Sequence, residues 1–418
     1  MRRIQTILRS PSALLLLGCA ILVAVAKPAG AVLGVRFANV LFRVSKGKIA
    51  NAEAFISNRL IEAAWLIAAA ILLLLVYHSF RRLTEKRVGV ARYSWAILAL
   101  AAFVLVNVWL FGAMRTCLFW GLCYTGKNTS NVTQFHFKEL LLTENTAPRQ
   151  VILVGSSQTR AQLDENLLND RIGKQVWTTE LHFPGSKAID LLLVLRRLKG
   201  QPGDDLVCYL SECYFYNGLY SESAPYFISF HDLPLLSHLG LSSCLATGQF
   251  AYGLVGDLFP MVRCREPLTD RFLGRRMGSL AQTSYDSALE ANLIKRAEKA
   301  SLDFKLGKES QVQKAAFEAF IAEAGRQKRH VILLEGQLNP LLGERIDPAV
   351  RQDMKRYLRG VIKDHDNVTL IAEDELPAQT PNDYDDLTHV NESTQTRFTG
   401  WFANQLTSKL RSKIALNN

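Results

Sequence analysis

A serine hydroxyl attacks an acyl carbonyl only when a base takes its proton, and that base works best when a carboxylate orients it and offsets its charge. The chain carries candidates for all three groups in two short stretches more than two hundred residues apart. The first runs from Val151 to Gln158. Its apolar part reads as a buried strand, and it ends in a tight turn, Gly155-Ser156-Ser157, that presents a serine. The second is Asp386-Leu387-Thr388-His389, a carboxylate three residues before a histidine. Along the chain the order is nucleophile, acid, base, and the chemistry such a set performs is acyl transfer through serine. Each part also has a plainer reading. Ser156 and Ser157 are turn residues suited to cap the helix that follows, and Asp386 is one of three acids in Asn382-Asp383-Tyr384-Asp385-Asp386, of the kind found on solvated loops.

Elements must bring these stretches together. From residue 150 onward, short apolar runs alternate with amphipathic stretches, which predicts an α/β layer fold. Strands are expected at 151–154, 176–180, 206–210, 331–334 and 368–371, and helices at 187–198, 287–304, 312–325, 348–364 and 394–413. About 120 residues separate the third and fourth expected strands, far more than a crossover needs. Within them, 214–284 is rich in Tyr, Phe, Leu, Ser and Gly and reads as an insertion covering or flanking the site.

The N-terminal part differs in kind. Residues 1–149 hold 18 Lys/Arg against 5 Asp/Glu, while the remainder holds 31 against 33. The basic excess therefore sits beside apolar segments at about 11–35, 61–77 and 93–114, where it would anchor and orient membrane helices. No basic stripe interleaved with aromatics follows, so nucleic-acid binding is not expected. The first segment has two readings, a retained helix or a cleaved secretory signal. Arg81, Arg82, Lys86, Arg87 and Arg92 mark the loop before the third segment as cytoplasmic, which sends everything after Met114 outside. Arg36, Arg43, Lys46, Lys48 and Arg59 make the earlier loop basic too, and its helical apolar spacing suits an amphipathic helix on the outer leaflet. Residues 1–114 thus form an expected membrane part, 115–149 a stalk or linker, and 150–418 the globular domain. Seven cysteines fit an oxidising compartment, but there is no CxxC pair and no zinc spacing, so neither metal nor cofactor is expected.

At these residues the chain resembles the SGNH (GDSL-type) hydrolase superfamily. More narrowly, it is similar to the membrane-anchored branch that acylates envelope polymers, of the DltD-like and alginate O-acetyltransferase-like kinds. The resemblance covers about 150–415. It implies a flavodoxin-like three-layer α/β/α domain after N-terminal transmembrane helices, with Ser157 as nucleophile and Asp386 and His389 as acid and base. His182-Phe183-Pro184-Gly185 resembles the family's second block, which implies that the Gly185 N–H serves the oxyanion. The third block departs from the family: Tyr209-Leu210-Ser211-Glu212 lacks the usual asparagine donor, leaving Ser211 as a candidate. Asn339 reads as a turn residue, with an oxyanion role as the alternative.

What the resemblance implies is a multi-pass protein of the cytoplasmic membrane with its C-terminal domain on the periplasmic or cell-surface side. It would transfer an acyl group, acetyl by preference, to a polysaccharide or other envelope polymer. A separate polytopic membrane-bound O-acyltransferase would deliver the acyl group across the lipid bilayer. An esterase acting on the same polymers is the first alternative; a catalytically silent scaffold of an envelope-assembly complex, favoured by the missing asparagine, is the second.

Overall fold

A computed structural model of the chain describes residues 18, 20–21, 24–36, 52–85, 91–124, 130–144, 149–172, 176–198, 203–219, 223–240, 248–273 and 287–416. Two compact units are present: Met1–Thr146 with Leu258–Arg276, and Ala147–Asp257 with Met277–Asn418.

In the N-terminal unit, residues 24–36 are helical, followed by helices α1 (Ala52–Glu85), α2 (Ala91–Ala113), α3 (Cys117–Cys123) and α4 (Asn131–Glu144). One described helix, Ala52–His78, is long and apolar enough to cross a membrane; a second candidate counts only if 99–113 and 117–123, bent by 104°, form one broken span. The helix α1 starts nine residues before the expected apolar segment. Arg59 and Glu62 make this possible by pairing at 2.9 Å one turn apart. The Glu62 carboxylate also accepts the N–H groups of Cys117 (3.1 Å) and Leu118 (2.8 Å), capping the positive end of α3. Within 115–149, expected as a stalk or linker, α3 and α4 are helices of this unit. Trp120 explains why: fully buried, it stacks on His136 at 4.6 Å and donates its indole N–H to the Met114 carbonyl at 2.8 Å. The expected outer-leaflet helix around 37–44 lies outside the described residues.

The second unit is α/β, built on a five-stranded parallel sheet in the order β2-β1-β3-β4-β5. The strands are β1 (Arg149–Gly155), β2 (Val176–His182), β3 (Asp205–Leu210), β4 (His330–Glu335) and β5 (Val368–Ile371), each within two residues of its expected ends. A parallel sheet is covered on both faces, so its strands read as continuous apolar runs. Val151, Leu153, Val207, Tyr209, Ile332, Leu334 and Ile371 share one face with Phe398, Phe402 and Leu406 of the C-terminal helix Glu392–Leu416. Strand alternation turns Ile152, Val154, Leu206, Cys208, Val331 and Leu333 to the other face, where they are equally buried. The helix Lys308–Arg326 packs on β4 and on the helix Ala188–Arg197 there. Charges at the lower end of the sheet are paired: Arg149 Nε donates to Asp205 at 2.8 Å, and buried Arg329 donates to Asp204 at 3.3 Å.

The insertion is divided. Residues up to 257 stay with the sheet, as short helices such as Ala224–Phe227 and Leu233–His238. Leu258–Arg276 belongs to the N-terminal unit. Residues 241–247 and 274–286 lie outside the described residues.

Candidate active site

The turn after β1 separates the two serines by role. Ser156 is buried, has extended backbone (φ −98°, ψ −172°) and caps the helix Ser157–Gln162, its hydroxyl accepting the Gln158 N–H at 3.2 Å. Its own N–H is donated to the Tyr214 hydroxyl at 2.6 Å. The capping reading therefore applies to Ser156. Ser157, the first helical residue, is only half-buried. Gly155 permits this packing: a Cβ there would collide with the Thr159 side chain and lie 2.8 Å from the Tyr214 hydroxyl oxygen.

His389 meets Ser157 across 232 residues of sequence, with Nε2 2.8 Å from the serine Oγ. On the far side of the ring, Nδ1 lies 2.8 Å from Asp386 Oδ2. A carboxylate accepts but does not donate, so it fixes the imidazole proton on Nδ1 and leaves Nε2 to accept from Ser157. Asp386 Oδ1 in turn accepts the N–H groups of Thr388 (2.7 Å) and His389 (2.8 Å). Burial pushes this carboxyl up, but the hydrogen bond and charge of His389 and the two backbone N–H groups outweigh it, holding it down at about 2. Asp386 is thus a solidly ionised group with all its neighbours aimed at it, unlike the solvated acid of the plainer reading. The His389 side chain is 34% exposed, which leaves the reactive edge open to small molecules.

The loop bearing the acid and base is tied down at several points. Tyr384 and Val390 form an antiparallel bridge, and the Asp385 N–H donates to the His389 carbonyl at 2.9 Å. Asn339, fully buried, holds the loop from outside: its Nδ2 donates to the Asp386 carbonyl at 2.9 Å, its backbone N–H to the Leu387 carbonyl at 3.3 Å, and its Oδ1 accepts the Leu341 N–H at 3.0 Å. It caps the short helix Pro340–Gly343, as a turn residue would, while one of its two amide N–H donors is engaged with the loop that carries Asp386 and His389. Asn339→Ala is expected to lower kcat for ester turnover by about 10- to 100-fold, because small misplacements of reacting groups cost that much, with KM little changed. Steady-state kinetics on a chromogenic ester check this.

Gly185 and Ser211 fare differently. Gly155 and His182 are register partners at the tops of β1 and β2, and the Phe183 N–H donates to the Gly155 carbonyl at 2.9 Å. The two loops therefore rise side by side. Gly185 is exposed at φ 66°, a left-handed conformation that favours glycine, and its N–H has no hydrogen-bond partner among the described residues. Ser211 is fully buried; its hydroxyl donates to Gln158 Oε1 at 2.7 Å and accepts the Cys213 N–H at 3.3 Å. With its hydroxyl proton donated to Gln158, Ser211 braces the helix Ser157–Gln162.

Other polar groups frame the site. His182 is buried against Glu180 at the end of β2, while His231 and His238 are exposed. Beyond Asn339, over the ends of β3 to β5, a cavity of about 230 Å³ is lined by Glu212, Gln337, Arg351, Glu373 and Gln379 among others. Burial raises the Glu212 carboxyl in its wall, partly offset by Arg351. Among the described residues, no group of three or more His, Cys, Asp or Glu could hold a metal ion, and Cys117, Cys208, Cys213 and Cys264 are free thiols. No protein-family model matches the chain, and no curated protein is found to be similar to it.

Proposed function

We propose that this chain is a membrane-anchored, extracytoplasmic SGNH-type O-acyltransferase. The observation that carries the reading is the hydrogen-bonded series Ser157–His389–Asp386, with 2.8 Å at both links. The sheet order β2-β1-β3-β4-β5 supports the flavodoxin-like part of it. In such sheets ligands bind beyond the carboxyl ends of the strands where the order reverses, and Ser157 follows β1 at the reversal between β1 and β3.

In the reaction, Ser157 Oγ attacks the carbonyl carbon of an acyl donor as its proton passes to His389 Nε2. The tetrahedral oxyanion is received by the main-chain N–H groups of Ser157 and Gly185. Collapse breaks the bond to the donor's leaving group, which takes the proton from His389, and leaves an acyl ester on Ser157. A hydroxyl of the acceptor polymer then loses its proton to His389 and attacks this ester, and the bond to Ser157 breaks as its Oγ takes that proton back from His389. Asp386 stays ionised and offsets the imidazolium charge in both halves.

The N-terminal unit serves as the multi-pass anchor, and the basic loop before α2 favours an external sheet domain. With so few spans the chain relies on a polytopic acyltransferase partner to supply acyl groups from the cytoplasm. Hydrolysis of the same esters is the second reading, favoured by the partial exposure of His389, which admits water. Incubating the full chain with an activated acetyl ester, with and without a polysaccharide acceptor, separates the two. Transfer is expected to yield acylated polymer in excess of free acid. Free acid alone assigns an esterase, and neither product removes the enzymatic reading.

A further inference from the structure

We infer that residues 258–262 of the insertion lie in the lipid bilayer, docked on α2 and facing acyl chains. The inference rests on the membrane reading of α2 above. Asn107 is a polar residue inside an otherwise apolar helix, where such a group is costly unless it has a task. Its Nδ2 donates to the Phe103 carbonyl at 2.8 Å, and its Oδ1 accepts the Met261 N–H at 3.0 Å. The Phe259 ring meets the Phe103 ring at 5.5 Å. At about 1.5 Å per residue, Asn107 and Phe103 sit about 9 and 15 Å before the end of α2 at Ala113. Contacts at that depth place the segment within the hydrocarbon layer that α2 would cross.

In hydrocarbon a backbone N–H needs an internal partner, and several in this segment have one. Pro260 has none to satisfy, Met261 uses Asn107, Val262 donates to the Phe259 carbonyl and Cys264 to the Pro260 carbonyl, both at 2.8 Å. The outward side chains suit hydrocarbon: Leu258 is 60% exposed, continuing the apolar exterior of α2 at Val104, Val108 and Phe111. Exposed leucine beside an exposed apolar helix fits acyl chains, which take apolar surface without requiring a shaped pocket.

The test places the photoreactive residue p-benzoylphenylalanine at one position at a time in the full chain, held in nanodiscs of phosphatidylcholine and phosphatidylglycerol. Position 258 is compared with Leu100, exposed on α2, and with Leu302, exposed on the sheet unit. After irradiation, mass spectrometry is expected to find lipid adducts at 258 and 100 and none at 302. Asn107→Leu is expected to reduce the adduct at 258 several-fold while sparing that at 100. Adduct at 100 without adduct at 258 overturns the inference and leaves the membrane reading intact. Absence at both overturns both. In cells, a protein adduct at 258 in place of lipid reassigns the face to a partner and likewise overturns it.

Discussion

Ser157→Ala is expected to abolish ester turnover, by about 10⁴- to 10⁶-fold, because the nucleophile of a serine–histidine–carboxylate set cannot be replaced by its neighbours. The adjacent Ser156→Ala supplies the contrast. Its hydroxyl caps the helix Ser157–Gln162 and does not touch His389, so the loss is one cap, about 1 kcal/mol of stability, with turnover changed little. Thermal melts and steady-state kinetics on both variants separate them. A chain in which Ser156, not Ser157, controls turnover would contradict the assignment, since the imidazole lies 2.8 Å from Ser157 Oγ.

The second large effect is expected at Asp386. Asp386→Asn keeps the shape of the side chain but replaces a pure acceptor by a group that also donates, so the imidazole settles in the wrong tautomer. A fall in kcat of about 10⁴-fold is expected, as in other triads, with KM little changed. The pH dependence follows from the same contacts. Above the ordinary carboxylate value of 3.8 Asp386 is ionised in both folded and unfolded chains, and its depressed folded value of about 2 stabilises the fold. That contribution is lost as pH falls through about 2, so urea unfolding of the wild type is expected to weaken from pH 4 to pH 2 more than that of Asp386→Asn. Any loss of activity between pH 5 and 7 must titrate on another group, because Asp386 remains charged throughout. An acid limb that disappears in Asp386→Asn but persists in variants elsewhere would contradict this.

Strands β1, β3 and β4 were legible because each is buried on both faces, so residues such as Val331 to Leu334 form unbroken apolar runs. The meeting of Ser157, His389 and Asp386 was legible for a related reason: a glycine-serine turn at the end of one run and an Asp-x-x-His before a helix are local patterns with local consequences. Roles set by long-range packing were not. Asn339 sits before a proline and caps a short helix, so nothing local separates the amide that holds Asp386 from an ordinary turn residue. Ser211 follows a strand as an oxyanion donor would, but its proton is taken by Gln158, 53 residues earlier. The capping role of Glu62 was hidden because its partners, the N–H groups of Cys117 and Leu118, lie more than fifty residues away. The division of the insertion at Leu258 depends on Asn107, more than 150 residues away.

The most direct measurement is mass spectrometry of the full chain after exposure to a fluorophosphonate, which reacts with serines activated by a neighbouring base. The account predicts one phosphonyl adduct on the peptide containing Ser157, absent in Ser157→Ala and formed at least about 100-fold more slowly in His389→Ala, the range expected for losing general-base assistance. Ser157 unmodified at saturating reagent, or modified equally fast without His389, would contradict it.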